Sequence, residues 1–253
     1  MENGNEHTAA RRSVVRVFFE PENKELSYFN DAFDLQTGDI VFVEGKLEGK
    51  RGRVTEVSYN FKIKLSDYKR VLSKADTAIR GELFPAGSHL LSFDRETIPY
   101  EKIITWYKAP EKEEEVCLTG SDDTSFALEN LSGLQVSHAV IERGGEYYRR
   151  NAVRYLCLDG TRGRAIVEGT RPYEVEFRLA DGRISGMVCD CFCSETCKHE
   201  VAALLQLKEC LKRIEERHAA RYEESGCFAA LCAQELFEYA VAGKKEGSIQ
   251  FLK

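Results

Sequence analysis

The chain has 253 residues, more than one ordinary domain and fewer than three, so two packed units with tails are expected. A hydrophobic fraction of 43% and a charged fraction of 31% describe a globular chain and exclude collagen-like, mostly disordered and membrane classes. The net charge of −6 excludes a uniformly basic nucleic-acid coat, which leaves any such contact to a local patch.

Residues 1–12 are polar and read as a disordered tail without the apolar core of a signal peptide. No apolar run approaches the ~20 residues of a membrane helix. A cytoplasmic protein with no membrane partner is therefore expected. Residues 13–108 read as a first domain of short strands. Val14-Val15-Arg16-Val17-Phe18-Phe19 is β-branched and aromatic, and Ile40-Val41-Phe42-Val43 lies between glycine turns. From Val57 to Leu65 apolar residues alternate with Ser58, Asn60, Lys62 and Lys64, which predicts a strand with one basic, wet face. Tight glycine turns between such strands suggest a small curled sheet or barrel.

Residues 109–125 are acidic, lack an apolar period and read as a linker. Residues 126–222 then read as a second domain. Val136 to Ile141, Ala152 to Leu158, Gly163 to Val167, Tyr173 to Leu179 and Ile184 to Cys191 are strand-like, with Asp159-Gly160 and Asp181-Gly182 as hairpin turns. An antiparallel meander is predicted. Val201, Leu204, Leu205, Leu211 and Ile214 change the period to that of one amphipathic helix from about Cys197 to Arg221. Residues 223–253 form a C-terminal extension in which Phe228 to Val241 fits a helix or, in part, a strand. The fold class is α+β.

Cysteine placement is the strongest signal. Cys189-Asp190-Cys191, five residues, then Cys197-Lys198-His199 place two thiols at a strand end and a thiol plus imidazole at a helix start. That donor set suits one structural zinc ion with no open position for a substrate water. A helix N-terminus also favours the thiolate that metal binding needs. Cys193 makes a second C-x-C with Cys191 and is an alternate ligand. Strand parity and the turn back toward Cys197 favour Cys189.

These residues, with Val201-Ala202-Ala203-Leu204-Leu205 after them and Pro172-Tyr173-Glu174-Val175 before, resemble the SWIM-type zinc finger over about residues 136–210. Phe192 stands where that family often has proline. The resemblance implies a ββα zinc unit and a role in binding DNA or protein; such fingers accompany helicases and transposases. More weakly, Asp34 to Val43 with Gly52-Arg53-Val54 is similar to SH3-like barrels such as KOW modules, which often touch nucleic acid.

Charge adds to this. Lys46 to Lys74 holds nine basic residues, among them Lys50, Arg51, Arg53, Lys62 and Lys64, against three acidic ones, a local balance of +6. Such clusters are the usual footprint of phosphate contact, although edge-strand lysines also prevent sheet association. Arg149, Arg150 and Arg154, near Tyr147, Tyr148 and Tyr173, suit stacking and phosphate contact, or cross-strand pairing with acidic neighbours. No hydrolase or deaminase pattern is met: in His199-Glu200-Val201-Ala202-Ala203 the second histidine of H-E-x-x-H is Ala203. A non-catalytic accessory factor is expected, taking no small-molecule substrate and binding nucleic acid, DNA before RNA. The alternative is an adaptor that docks a helicase, nuclease or transposase.

Overall fold

A computed structural model describes residues 11–109, 125–130, 134, 136–193 and 195–241. The acidic linker therefore lies almost wholly outside the described residues, as do residues 1–10 of the tail and 242–253 of the extension. The chain divides into two compact units. The first takes described residues 11–78, 105–109 and 239–241, and the second takes 79–104 and 125–238.

In the first unit, β1 (Ser13–Phe19), β2 (Lys24–Asn30), β3 (Ile40–Val43), β4 (Gly52–Ser58) and β5 (Val71–Lys74) form an antiparallel sheet in the order β2-β1-β4-β3-β5. Alternation along β1 buries Val15, Val17 and Phe19 against Tyr28, Leu35, Val41, Val43 and Val54. Gly52 makes the close packing of β1 and β4 possible, since a Cβ there would lie 2.3 Å from a Val17 methyl. The sheet is open, where a closed SH3-like barrel was expected. Four-residue β5 pairs with β3, and just before it Arg70 makes an isolated bridge to Phe29 of β2, with the Phe29 N–H donating to the Lys69 carbonyl.

A second correction concerns Val57 to Leu65. The strand stops at Ser58 because its partner begins at Ser13, and Val14 already pairs with Ser58. Beyond it Phe61 packs on Phe29, and Lys62 and Lys64 project into solvent from a loop.

The second unit begins earlier than the acidic stretch suggested. It contains β6 (Phe84–Ala86), β7 (His89–Ser92), α1 (Tyr100–Ile103), β8 (Ser125–Ala127), α2 (His138–Arg149), β9 (Val153–Asp159), β10 (Arg162–Glu168), β11 (Pro172–Ala180), β12 (Arg183–Cys189), α3 (Lys198–Arg217), α4 (Ala219–Ser225), β13 (Cys227–Cys232) and α5 (Ala233–Glu235). All eight strands join one antiparallel sheet, ordered β6-β7-β13-β9-β10-β11-β12-β8. Residues 79–104 belong here because β7 pairs with β13, a strand from the far end of the chain. The predicted hairpins β9–β10, β10–β11 and β11–β12 are present.

Val136 to Ile141 is not a strand. It leads into α2, whose Gly144 lies against α3: a Cβ there would stand 2.5 Å from Val201 and 3.0 Å from the Lys198 carbonyl oxygen. Helix α3 buries Val201, Ala202, Leu204, Leu207, Cys210 and Ile214 against α2 and strands β9 to β12. It ends at His218, where α4 begins. Among the described residues no helix is long and apolar enough to cross a membrane.

Candidate metal centre

Strand β12 ends on Cys189, and helix α3 starts after Cys197, so the β12–α3 turn folds its two ends onto one point. Cys189, Cys191, Cys197 and His199 offer ligand atoms that all lie within 4.8 Å of one another. His199 Nδ1 is 3.7 Å from both Cys189 Sγ and Cys197 Sγ. The converging group contains Cys189. Cys193, the alternate ligand, is exposed and stands outside it.

Each sulfur also meets a backbone donor. The N–H of Cys191 donates to Cys189, that of Cys193 to Cys191 and that of Glu200 to Cys197. Donors aimed at sulfur favour thiolate over thiol. Among the side chains themselves the negative charge collects on Cys197. Donation from the Cys189 thiol, helped by His199 and the Glu200 N–H, outweighs burial and holds Cys197 at about 3. The Cys189 thiol is pushed up because it is the donor in that pair, and burial with the nearby Cys197 charge raises Cys191 to about 11. Three thiols with an imidazole form a soft, structural donor set.

Neighbouring residues hold the donors in place. The Glu200 carboxylate accepts from the Cys197 N–H at 2.5 Å, closing a capping box with a cysteine as cap. Asp190, between the first two thiols, accepts from the Glu174 N–H at 2.9 Å and returns its own N–H to the Glu174 carbonyl at 3.1 Å. Arg171 pairs with Asp190 at 3.1 Å. Tyr173 stacks on the His199 ring with centroids 4.1 Å apart, and Tyr147 meets it edge-on at 5.4 Å. The buried His199 Nε2 has no hydrogen-bond partner among the described residues, which leaves Nδ1 as the nitrogen turned toward the sulfurs. Sequence reasoning missed Asp190, Gly144 and the Glu200 brace; for Glu200 the signal was its place three residues after Cys197.

The candidate nucleic-acid residues separate into two sets. Lys50 pairs with Glu22 at 3.3 Å, Arg51 lies over the Tyr239 ring at 4.3 Å, and Arg53 lies over the same ring at 5.7 Å. Arg154 bridges Glu168 and Glu235 at 2.6 and 3.3 Å inside the second unit. These four are engaged internally. Lys62, Lys64, Arg149 and Arg150 are exposed and make no ion pair among the described residues.

No family model matches this chain, and no match is found among curated proteins or solved structures.

Proposed function

We propose that Cys189, Cys191, Cys197 and His199 hold one structural zinc ion in a SWIM-type ββα unit made of β11, β12 and α3. The protein that carries it is a non-catalytic accessory factor that binds nucleic acid, with DNA as its form. The observation that carries the zinc reading is the convergence of four soft donors, each thiol with its own N–H donor. Zinc so bound supplies a cross-link between a strand end and a helix start, without an open coordination position. Cys189 and Cys191 fix the strand side, Cys197 and His199 fix the helix side, and Asp190 and Glu200 keep both from fraying.

What supports the nucleic-acid reading is the set of cations without carboxylate partners among the described residues. In the first unit these include the exposed Lys46, Lys62, Lys64 and Lys69. In the second they include Arg149, Arg150 and Lys198. A chain of net charge −6 that keeps such groups free has cations available for phosphates. Elemental analysis of the purified full chain should give one zinc per molecule. Cys189→Ser should lose it and Cys193→Ser should keep it. Fluorescence anisotropy of the loaded protein with labelled duplex and single-stranded DNA across a salt series should give affinities whose logarithm falls linearly with log salt. Absence of binding at low salt would remove this reading and favour the adaptor role.

A further inference from the structure

The face beside the metal centre carries one more arrangement. Arg150 lies over the Tyr147 ring at 3.8 Å, and Lys198 approaches the same ring at 5.1 Å. Tyr147 meets His199 edge-on, His199 stacks on Tyr173, and Arg171 lies over Tyr173 at 4.8 Å. Cations on rings thus flank a metal ligand from both sides. Helical spacing sets this up: Arg143, Tyr147 and Arg150 fall on one face of α2, while Glu142, Glu146 and Arg149 fall on another.

At the turn between Cys191 and Cys197 stands Phe192, whose relative exposure of 102% makes it the most exposed large apolar side chain described. Burial in the core does not explain it, because no part of the ring is covered. The turn that carries it is fixed from below by Cys191 and by the Cys193 N–H on the Cys191 sulfur. An exposed aromatic ring in the segment that joins Cys191 to Lys198 has the chemistry of a stacking platform for an unstacked base. In a duplex the same ring would have to wedge between stacked base pairs and pay for unstacking them, which favours an already unstacked strand.

We infer that this face binds single-stranded nucleic acid, with Phe192 stacking on one base and Arg150 and Lys198 contacting the flanking phosphates. The inference rests on the nucleic-acid reading above and narrows it to a strand form and a surface. The full, zinc-loaded chain is tested by anisotropy against a fluorescein-labelled thymidine 20-mer and a mixed-sequence 20-base-pair duplex. The single strand should bind more tightly. Phe192→Ala, which removes no buried side chain, should weaken single-strand binding about tenfold while zinc content stays at one per chain. Arg150→Gln with Lys198→Gln should lower the slope of log affinity against log salt by about 0.7 for each phosphate no longer neutralised.

Single-strand binding that Phe192→Ala leaves unchanged would overturn the assignment of this face and leave the broader reading standing. Preference for the duplex would do the same. If neither probe binds at low salt, both the surface and the nucleic-acid function fail together.

Discussion

In the first unit, the core under a five-stranded sheet is apolar, built from Val15, Val17, Phe19, Tyr28, Val41, Val43 and Val54. In the second, a larger apolar core under α3 ends at the β12–α3 turn, and there three sulfurs and an imidazole take over. The residues of that turn explain the change of material. Asp190, Phe192, Cys193 and Glu195 are all exposed, so the turn buries too little apolar surface to fix its own course. A cluster of donors does locally what hydrophobic packing does elsewhere.

With zinc bound at the site as proposed, its chelation should raise amide hydrogen exchange through residues 189–201 and in the facing helix α2, with β1 to β5 unchanged. A uniform rise across both units would break the comparison, and so would no rise in either.

Arginine offers the next contrast. Arg154, side chain 17% exposed, bridges Glu168 and the almost fully buried Glu235, whereas Arg16, at 56%, pairs with exposed Glu25 and Glu56. Arg154→Ala should cost about 3–5 kcal/mol in denaturant unfolding of the second unit, because the almost fully buried Glu235 carboxylate loses its ion pair with Arg154. Arg16→Ala should cost under ~1 kcal/mol in the first. Equal losses would show that burial does not set the worth of these pairs.

The smallest effect is a pH dependence confined to the second unit. His89 is buried, its Nε2–H donating to the Val153 carbonyl at 2.7 Å and its Nδ1 facing the Ser88 hydroxyl. Burial lowers its pKa, with Arg154 adding to the shift, while the Val153 bond and Glu209 oppose it. The unfolded chain therefore takes up the proton first. Stability from neutral His89 is complete above about pH 6.5 and declines as pH falls below it. The first unit has no histidine among its described residues. Thermal melts between pH 7 and 5 should show the second unit losing stability, and less so in His89→Gln. An identical decline in the variant would exclude His89 as the cause.

The sequence read best where a local rule and a tertiary partner agreed. Strands β10 and β11 and helix α3 follow their own periods, with Asp159-Gly160 and Asp181-Gly182 as turns. The four donors were readable because thiols spaced C-x-C and C-x-H have few other uses. Helix α2 misled because Val140 and Ile141 look β-like and Gly144-Gly145 look like a turn; those glycines are buried inside the helix, and Gly144 touches α3. The alternation after Ser58 is real, but no strand remains beside it. The fates of Arg51 and Arg154 depended on Tyr239 and Glu235, each far along the chain, and no local pattern reaches so far.

Strand β13 carries a further consequence for how the molecule is made. Its buried residues fill the space between β7 and β9, with Cys232 opposite His89 and Cys227 opposite Asp159. During synthesis, at about 5–20 residues per second, the β6–β7 hairpin leaves the ribosome roughly 7–28 seconds before the strand that completes it. Until β13 arrives β7, and β9 once it has been made, each present an unsatisfied edge, open to pairing with another chain. Nascent chains stalled before Cys227 should therefore be the species that holdase chaperones capture, and release should coincide with the arrival of this one strand.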